Sequence, residues 1–427
     1  MMHSFNLLLQ VADPQGPPTM GWFVIFAALK VVVVFTIYIT CVAYTTWLER
    51  KLAAFIQDRY GPNRVGWWGL LQVIADGVKN FMKEETMPGN VNRAMFLLAP
   101  AIAFIPAFVT IAVVPFASPL PTRFGLVDMV IADLPVGFLF TLAISSLGVY
   151  GITLAGWSSN NKYALLGGLR ASAQMISYEI AMGMSTIAVL LLAGNVHLST
   201  IIAQQASQGW NVLLLTIAFF IFAVAGLAET NRVPFDLPES ESELVGGYHT
   251  EYSSMKYSMF PIAEYANIIT SSTLMVTLFF GGWDIPFTSW DNVPPYTVLK
   301  TVLTMGMYVT KVFLFVFSFI WLRWTVPRFR YDQLMALGWK VLLPLALVYI
   351  TAVASILLGL DYAGVVRTSM AFKGAMMGMN VVFVVLVFWV LDRGRIVSPA
   401  YSRLERAGID RLQHAASRGH LADRKGV

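Results

Sequence analysis

The sequence predicts an all-α polytopic membrane protein of about nine transmembrane helices, with an amphipathic interfacial helix after the first. Three observations carry this. Hydrophobic residues make up 57% of the 427 and charged residues 12%, about half the roughly 25% charged share of soluble domains. Apolar runs of about 18–27 residues recur along the chain, long enough to cross a hydrocarbon core as helices. Lys and Arg also alternate sharply between successive connections. Closed barrels are excluded, because the runs are too long and do not alternate in polarity.

In chain order the spans read 21–47, 95–116, 135–157, 175–193, 210–228, 260–280, 302–321, 341–358 and 374–391. They make 1–391 a single membrane domain, followed by a basic cytoplasmic C-terminal tail at 392–427. The connections 48–94, 158–174, 229–259, 322–340 and 392–427 hold 23 Lys and Arg, whereas the opposite set, N-terminus included, holds 4. That bias predicts the N-terminus outside and the C-terminus in the cytoplasm. The same count supports the ninth span, without which the tail would fall on the wrong side. The first twenty residues place no basic residue ahead of their short apolar patch, which argues against a cleaved signal peptide. A membrane-surface contact is the plain expectation for the tail.

Composition also excludes chemistry. Cys41 is the lone cysteine, so no iron–sulfur cluster or disulfide framework is expected, and no metal centre. Neither a dinucleotide fingerprint nor a P-loop is present. The net charge of +5 reads as topology and not as a nucleic-acid surface.

Within 49–93 a GPN turn, Gly61 to Asn63, precedes Leu70, Leu71, Val73, Ile74, Val78 and Phe81 near one helical face. Asp76, Lys79, Asn80 and Lys83 lie mostly elsewhere, a pattern that suits a helix lying in the interface plane. Glu49, Arg50, Lys51 and Arg59 read most simply as anchors of the first span. The mix of both signs with aromatic residues weakens that reading.

The stretch Ala228–Asn267 gathers Glu229, Asp236, Glu239, Glu241, Glu243, Glu251 and Glu264 between two apolar spans. Glu179 lies about a turn inside the fourth span and Lys311 near the middle of the seventh. An ionisable group at a helix centre costs roughly 2.5–3.5 kcal/mol on insertion scales. Such groups either pair and hold helices together or move protons. Helix glue is usually Ser, Thr or Asn, so proton transfer is the stronger reading for Glu179 and Glu264. Glu239 and Glu243 share a helical face at i, i+4, and Asp236 with Glu239 fits a capping box. Like charges that close raise each other's pKa, which makes a proton store.

Four long segments resemble a known family: Glu49–Gly66, Gly156–Glu179, Ala228–Ser258 and Arg323–Met335. They are similar to the signature segments of the H subunit (NuoH-type) of proton-translocating NADH:quinone oxidoreductase, respiratory complex I. The resemblance implies a membrane-arm component of the bacterial plasma membrane, at the junction with the hydrophilic arm, lining most of the tunnel by which quinone enters. It implies that Asp76, Glu179, Glu229 and Glu264 belong to a polar channel toward antiporter-like subunits, with Asp236, Glu239, Glu241, Glu243 and Glu251 as the acidic loop beside the tunnel. Glu49, Arg50, Gln57, Arg59, Arg170, Arg232, Arg323 and Arg328 are expected near the tunnel or the arm junction. Quinone is then the substrate. FMN and the iron–sulfur clusters would sit on partner subunits, and the isolated chain would have no activity. Other complex I subunits, quinone and membrane lipids are the expected partners. Nothing carries over to the tail. Two alternatives stay open: the equivalent component of a membrane-bound hydrogenase, and a stand-alone ion transporter, which would favour internal repeats that are not visible.

Overall fold

A computed structural model describes residues 20–236, 245–286, 288 and 290–392. Glu239, Glu241, Glu243 and the tail after Asp392 lie outside these, as does the expected capping box. Among the described residues, eight helices are long and apolar enough to cross a membrane, and a ninth apolar helix is shorter.

Helix α1 runs over Met20–Ile56, and its 37 residues extend roughly 55 Å, well beyond a hydrocarbon core of about 30 Å. The expected interfacial helix is α2, Gln72–Met82. It has no buried residue, and Ile74, Val78, Phe81 and Met82 are open to the surroundings. Helix α3 is Arg93–Val109, capped by Asn92 and containing Pro100 and Pro106. A short hairpin, β1 Leu120–Thr122 against β2 Gly125–Val127, follows it. Helix α4 is Gly137–Ser158 and α5 is Lys162–Ala193, capped by Asn161 and ended by left-handed Gly194.

Two short helices, α6 Leu198–Gln208 and α7 Asn211–Leu214, lead to α8, Thr216–Glu229. The 14 residues of α8 give roughly 21 Å, short of a full crossing. The break falls at Leu215, whose φ is −134° and ψ is 49°. This is where the fifth expected span, 210–228, divides into two pieces. Helix α9 is Ser254–Phe279 and α10 is Val298–Thr325, capped by Thr297. Helix α11, Tyr331–Ala336, continues through a π-helical turn at Leu337–Leu342 into α12, Leu343–Tyr362. Helix α13 is Met370–Asp392.

Helix α5 lies at the centre, against α4, α8 and α12, while α9 packs on α3, α1 and α10. Small residues permit this. A Cβ added to Gly167 on α5 would stand 2.6 Å from the Cα of Gly247. The turn at Gly247 can therefore lie directly on α5. Helix α13 covers the broken pair α7 and α8. Its buried Asn380 donates to Leu214 O at 2.7 Å, the carbonyl freed by the break, and accepts from Tyr349 at 2.8 Å. Inside a bilayer, backbone polar groups must find such partners within the protein.

Candidate functional site: an arginine–carboxylate cavity

Charged side chains separated by up to 274 residues meet where the C-terminal parts of α1 and α10 lie beside the N-terminal half of α9. The C-terminal half of α1 carries Glu49, which is buried. Arg232, in the turn after α8, is also buried and donates to Glu49 Oε2 at 3.3 Å. Its second terminal nitrogen stands 3.2 Å from Glu264 Oε2 on α9. The guanidinium carbon lies 4.1 Å from the Tyr265 ring centroid, and Nη1 reaches the Tyr265 hydroxyl at 3.3 Å. Arg323, in the last turn of α10, bonds the other oxygen of Glu49. One buried carboxylate thus holds two guanidiniums, Arg232 buried and Arg323 partly so, which offsets the cost of taking them from water.

Glu49, Arg232, Tyr265 and Arg323 line a cavity of about 470 Å³. Arg50, Ala53, Arg59, the 60–62 turn and Trp324 complete its wall. Arg59 hydrogen-bonds Gln57 at 2.7 Å, so Gln57 acts as its support. Arg50 pairs with Asp76 on α2, which also accepts from Gln72 at 3.1 Å and lies 3.7 Å from Lys79. The interfacial helix is thereby tied to the cavity wall. One turn along α1 from Glu49, an apolar cleft of about 410 Å³ begins at Leu48 and Thr45 and continues past Cys41 and Tyr38. Helices α9 and α10 form its other sides through Ile269, Thr273, Tyr308 and Val312. Its lining is almost wholly apolar.

A second group sits beside α5. Glu179 and Glu229 are half-buried on facing helices, close enough for their charges to repel. Gln174 holds the turn between Glu229 and Asp236, donating to Ala228 O at 3.0 Å, Asn231 Oδ1 at 3.1 Å and Phe235 O at 2.9 Å. Asp236 is buried and pairs with Arg328 at 3.0 Å. Arg170 lies over the Tyr331 ring at 5.8 Å. Glu251 is apart from these; it accepts from Asn161 at 2.7 Å and borders a separate polar hollow near Trp157 and Lys162. Next to it, burial pushes the Tyr252 phenol up to about 12, against a Ser158 hydrogen bond that pulls the other way.

Of the residues expected from the sequence, Glu49, Arg50, Gln57, Arg59, Arg232, Glu264 and Arg323 come together, with Asp76 attached through Arg50. Glu179, Glu229 and the Asp236–Arg328 pair form a neighbouring group around α5 and α8. Tyr265 and Gln174 join these sites without any sequence signal, because an uncharged aromatic and an amide do not stand out among ionisable groups. Lys311 belongs to neither group; it sits at the far end of α9, its ammonium on the carbonyls of Phe280, Gly282 and Asp284.

Residues 29–354 match the family model described as NADH dehydrogenase. The chain is 49% identical over 328 residues to H subunit 1 of NADH-quinone oxidoreductase from Cytophaga hutchinsonii, covering 77% of this chain and 95% of that protein. It is 49% identical over 348 residues to the H subunit of NADH-quinone oxidoreductase from Leptospira biflexa, covering 79% and 96%. It is 48% identical over 339 residues to H subunit 2 of NADH-quinone oxidoreductase from Geobacter metallireducens, covering 77% and 94%. The chain therefore belongs to the NADH dehydrogenase family, alongside the H subunits of NADH-quinone oxidoreductase.

Proposed function

We propose that this chain lines the quinone-access tunnel of a proton-translocating NADH:quinone oxidoreductase and carries the first section of its coupling path. The observation that carries the reading is the single guanidinium of Arg232, which touches Glu49 in the cavity wall and Glu264 on α9 together. A quinone headgroup in the cavity would sit among Arg50, Arg59, Arg232 and Arg323, and cations suit a reduced, transiently anionic quinone. Its isoprenoid tail would lie in the apolar cleft that begins one turn away. A change of charge in the cavity alters the field on Arg232 and so the bias on the Glu264 proton. Glu229, Glu179 and Asp76 supply further carboxylates from which the path toward antiporter-like partners is built. The electron carriers, FMN and iron–sulfur clusters, reside on partner subunits. The isolated chain has no turnover of its own.

The relatives' names favour quinone chemistry over the hydrogenase and transporter readings. A photoreactive quinone analogue added to the intact complex should label the segment from Glu49 to Pro62, with labelling competed by excess quinone. Labelling confined to other subunits would overturn the tunnel assignment.

A further inference from the structure

The end of the bundle opposite the arginine cavity is closed by a second polar network built around Lys311. Phe280 lies 16 residues beyond Glu264, roughly 24 Å along α9. Helix α9 stops there at Gly281 and Gly282, both left-handed with φ of 74° and 55°. A Cβ on Gly282 would meet Ile202 Cδ1 at 2.5 Å, so the reversal is packed tightly against α6. Into this end α10 projects Lys311, which is buried. Its ammonium donates to Phe280 O at 2.7 Å, Gly282 O at 3.1 Å and Asp284 O at 2.6 Å, and lies 4.6 Å from the Trp210 ring centroid. An ammonium has three N–H donors and no acceptor. All three are used.

Most of the neighbours' polar atoms are bonded too. Gln205 donates to Thr277 O at 2.8 Å and accepts from Gly281 N at 2.9 Å and Asn211 N at 3.2 Å. Two carboxylates face the ammonium, Asp284 and Asp291. Asp284 accepts from Trp210 Nε1 at 3.1 Å and Asn292 at 2.7 Å; Asp291 accepts from Ile285 N at 2.8 Å and Thr288 at 3.2 Å. The Asn211 amide donates to Leu278 O at 2.8 Å, and Asn211 Oδ1 and Gln204 Oε1 on α6 are loose ends. Toward the middle and the cavity side, Gln174 Oε1, Ser177 Oγ and Ser271 Oγ likewise have no hydrogen-bond partner among the described residues. Such groups can take a water, whereas the Lys311 ammonium, with three donors on three carbonyls and no acceptor, offers a proton relay no free position.

We propose that Lys311 and the network it anchors form an ion seal, closing this chain at the end away from the cavity so that protons reaching the acidic groups leave only sideways, through partner subunits. This goes beyond quinone handling. Its readout is proton flux without any quinone, so the seal and the tunnel succeed or fail separately.

The test uses the intact complex in proteoliposomes with no substrate, driven by a potassium diffusion potential and read by an internal pH dye. Lys311→Met leaves three buried carbonyls without their donor. It should raise passive proton flux by about tenfold or more, the factor given by roughly 1.4 kcal/mol of lost barrier. Lys300→Met is the control: Lys300 holds Val293 O at 2.8 Å and lies over Trp290 in the same connection, but not over the end of α9, and its flux should stay at the wild-type level. Wild-type flux in an assembled Lys311→Met complex, or equal leak in both variants, would overturn the seal. Hydrogen exchange on the wild-type complex guards against failed assembly. The Gly281 and Gly282 amides, bonded to Gln205 Oε1 and Val276 O, should exchange as slowly as the middle of α9. Exchange at the rate of an open loop overturns the proposal without any variant.

Discussion

Arg232 and Glu264 stand 3.2 Å apart with 6% and 12% of their side chains exposed, so each is the other's counter-ion in a site nearly closed to water. Arg232 is shared with Glu49. Changing one carboxylate therefore changes what the guanidinium can give to the other. Glu264→Gln keeps the shape but removes the charge, and should depress quinone reductase activity and proton pumping while the complex still assembles. Normal activity and pumping in this variant and in Glu179→Gln would remove both from the coupling path.

Glu49 has a heavier structural burden, because Arg232 and Arg323 both rely on it. Removing one partner of a buried ion pair typically costs about 3–5 kcal/mol, since the remaining charge is left uncompensated. Glu49→Ala should lower the thermal midpoint of the purified complex, and Glu49→Gln should do so less. A melting curve unchanged from wild type would mean that water, not Glu49, balances the two arginines.

Much of this is legible in the sequence, for identifiable reasons. Apolar runs reveal helices because a bilayer demands length and hydrophobicity together. Their ends are harder to read. Helix α5 begins at Lys162, not near 175, because its first turns carry Gly167, Gly168, Ser172 and Gln174, which are small or polar yet face other helices. Hydropathy registers lipid contact and is blind to burial in protein. The acids and arginines stand out as a set, but their partners do not. Glu49 and Arg232 are 183 residues apart, and only tertiary packing joins them. Lys311 shows the same gap. Mid-helix placement suggests a buried charge, whereas its cage of carbonyls comes from a loop whose reversal depends on Gly281 and Gly282.

Arg59 is the most accessible test of the cavity, because its hydrogen bond goes to neutral Gln57 and not to a carboxylate. Its loss should leave no buried charge behind. Arg59→Ala is expected to raise the apparent quinone KM several-fold with a smaller change in kcat, the pattern of lost ground-state binding. Arg50→Ala should do the same and also release Asp76 and α2. Unchanged KM in both would place quinone elsewhere.

Helix α13 lies beyond the residues matched to the family, which end at 354, yet it is built into the fold. Asn380 donates to Leu214 O at the break before α8, donates to Met376 O at 3.0 Å, and accepts from the Tyr349 hydroxyl. Phe372 and Met376 are fully buried beside it. Asn380→Leu keeps the volume and removes these bonds, stranding a carbonyl and a phenol inside the bilayer. Each such group costs about 1–3 kcal/mol. The thermal midpoint of the complex should fall, while quinone reductase activity at low temperature stays at the wild-type level because the cavity is untouched. Loss of activity with an unchanged midpoint would reverse that assignment and make α13 part of the working site.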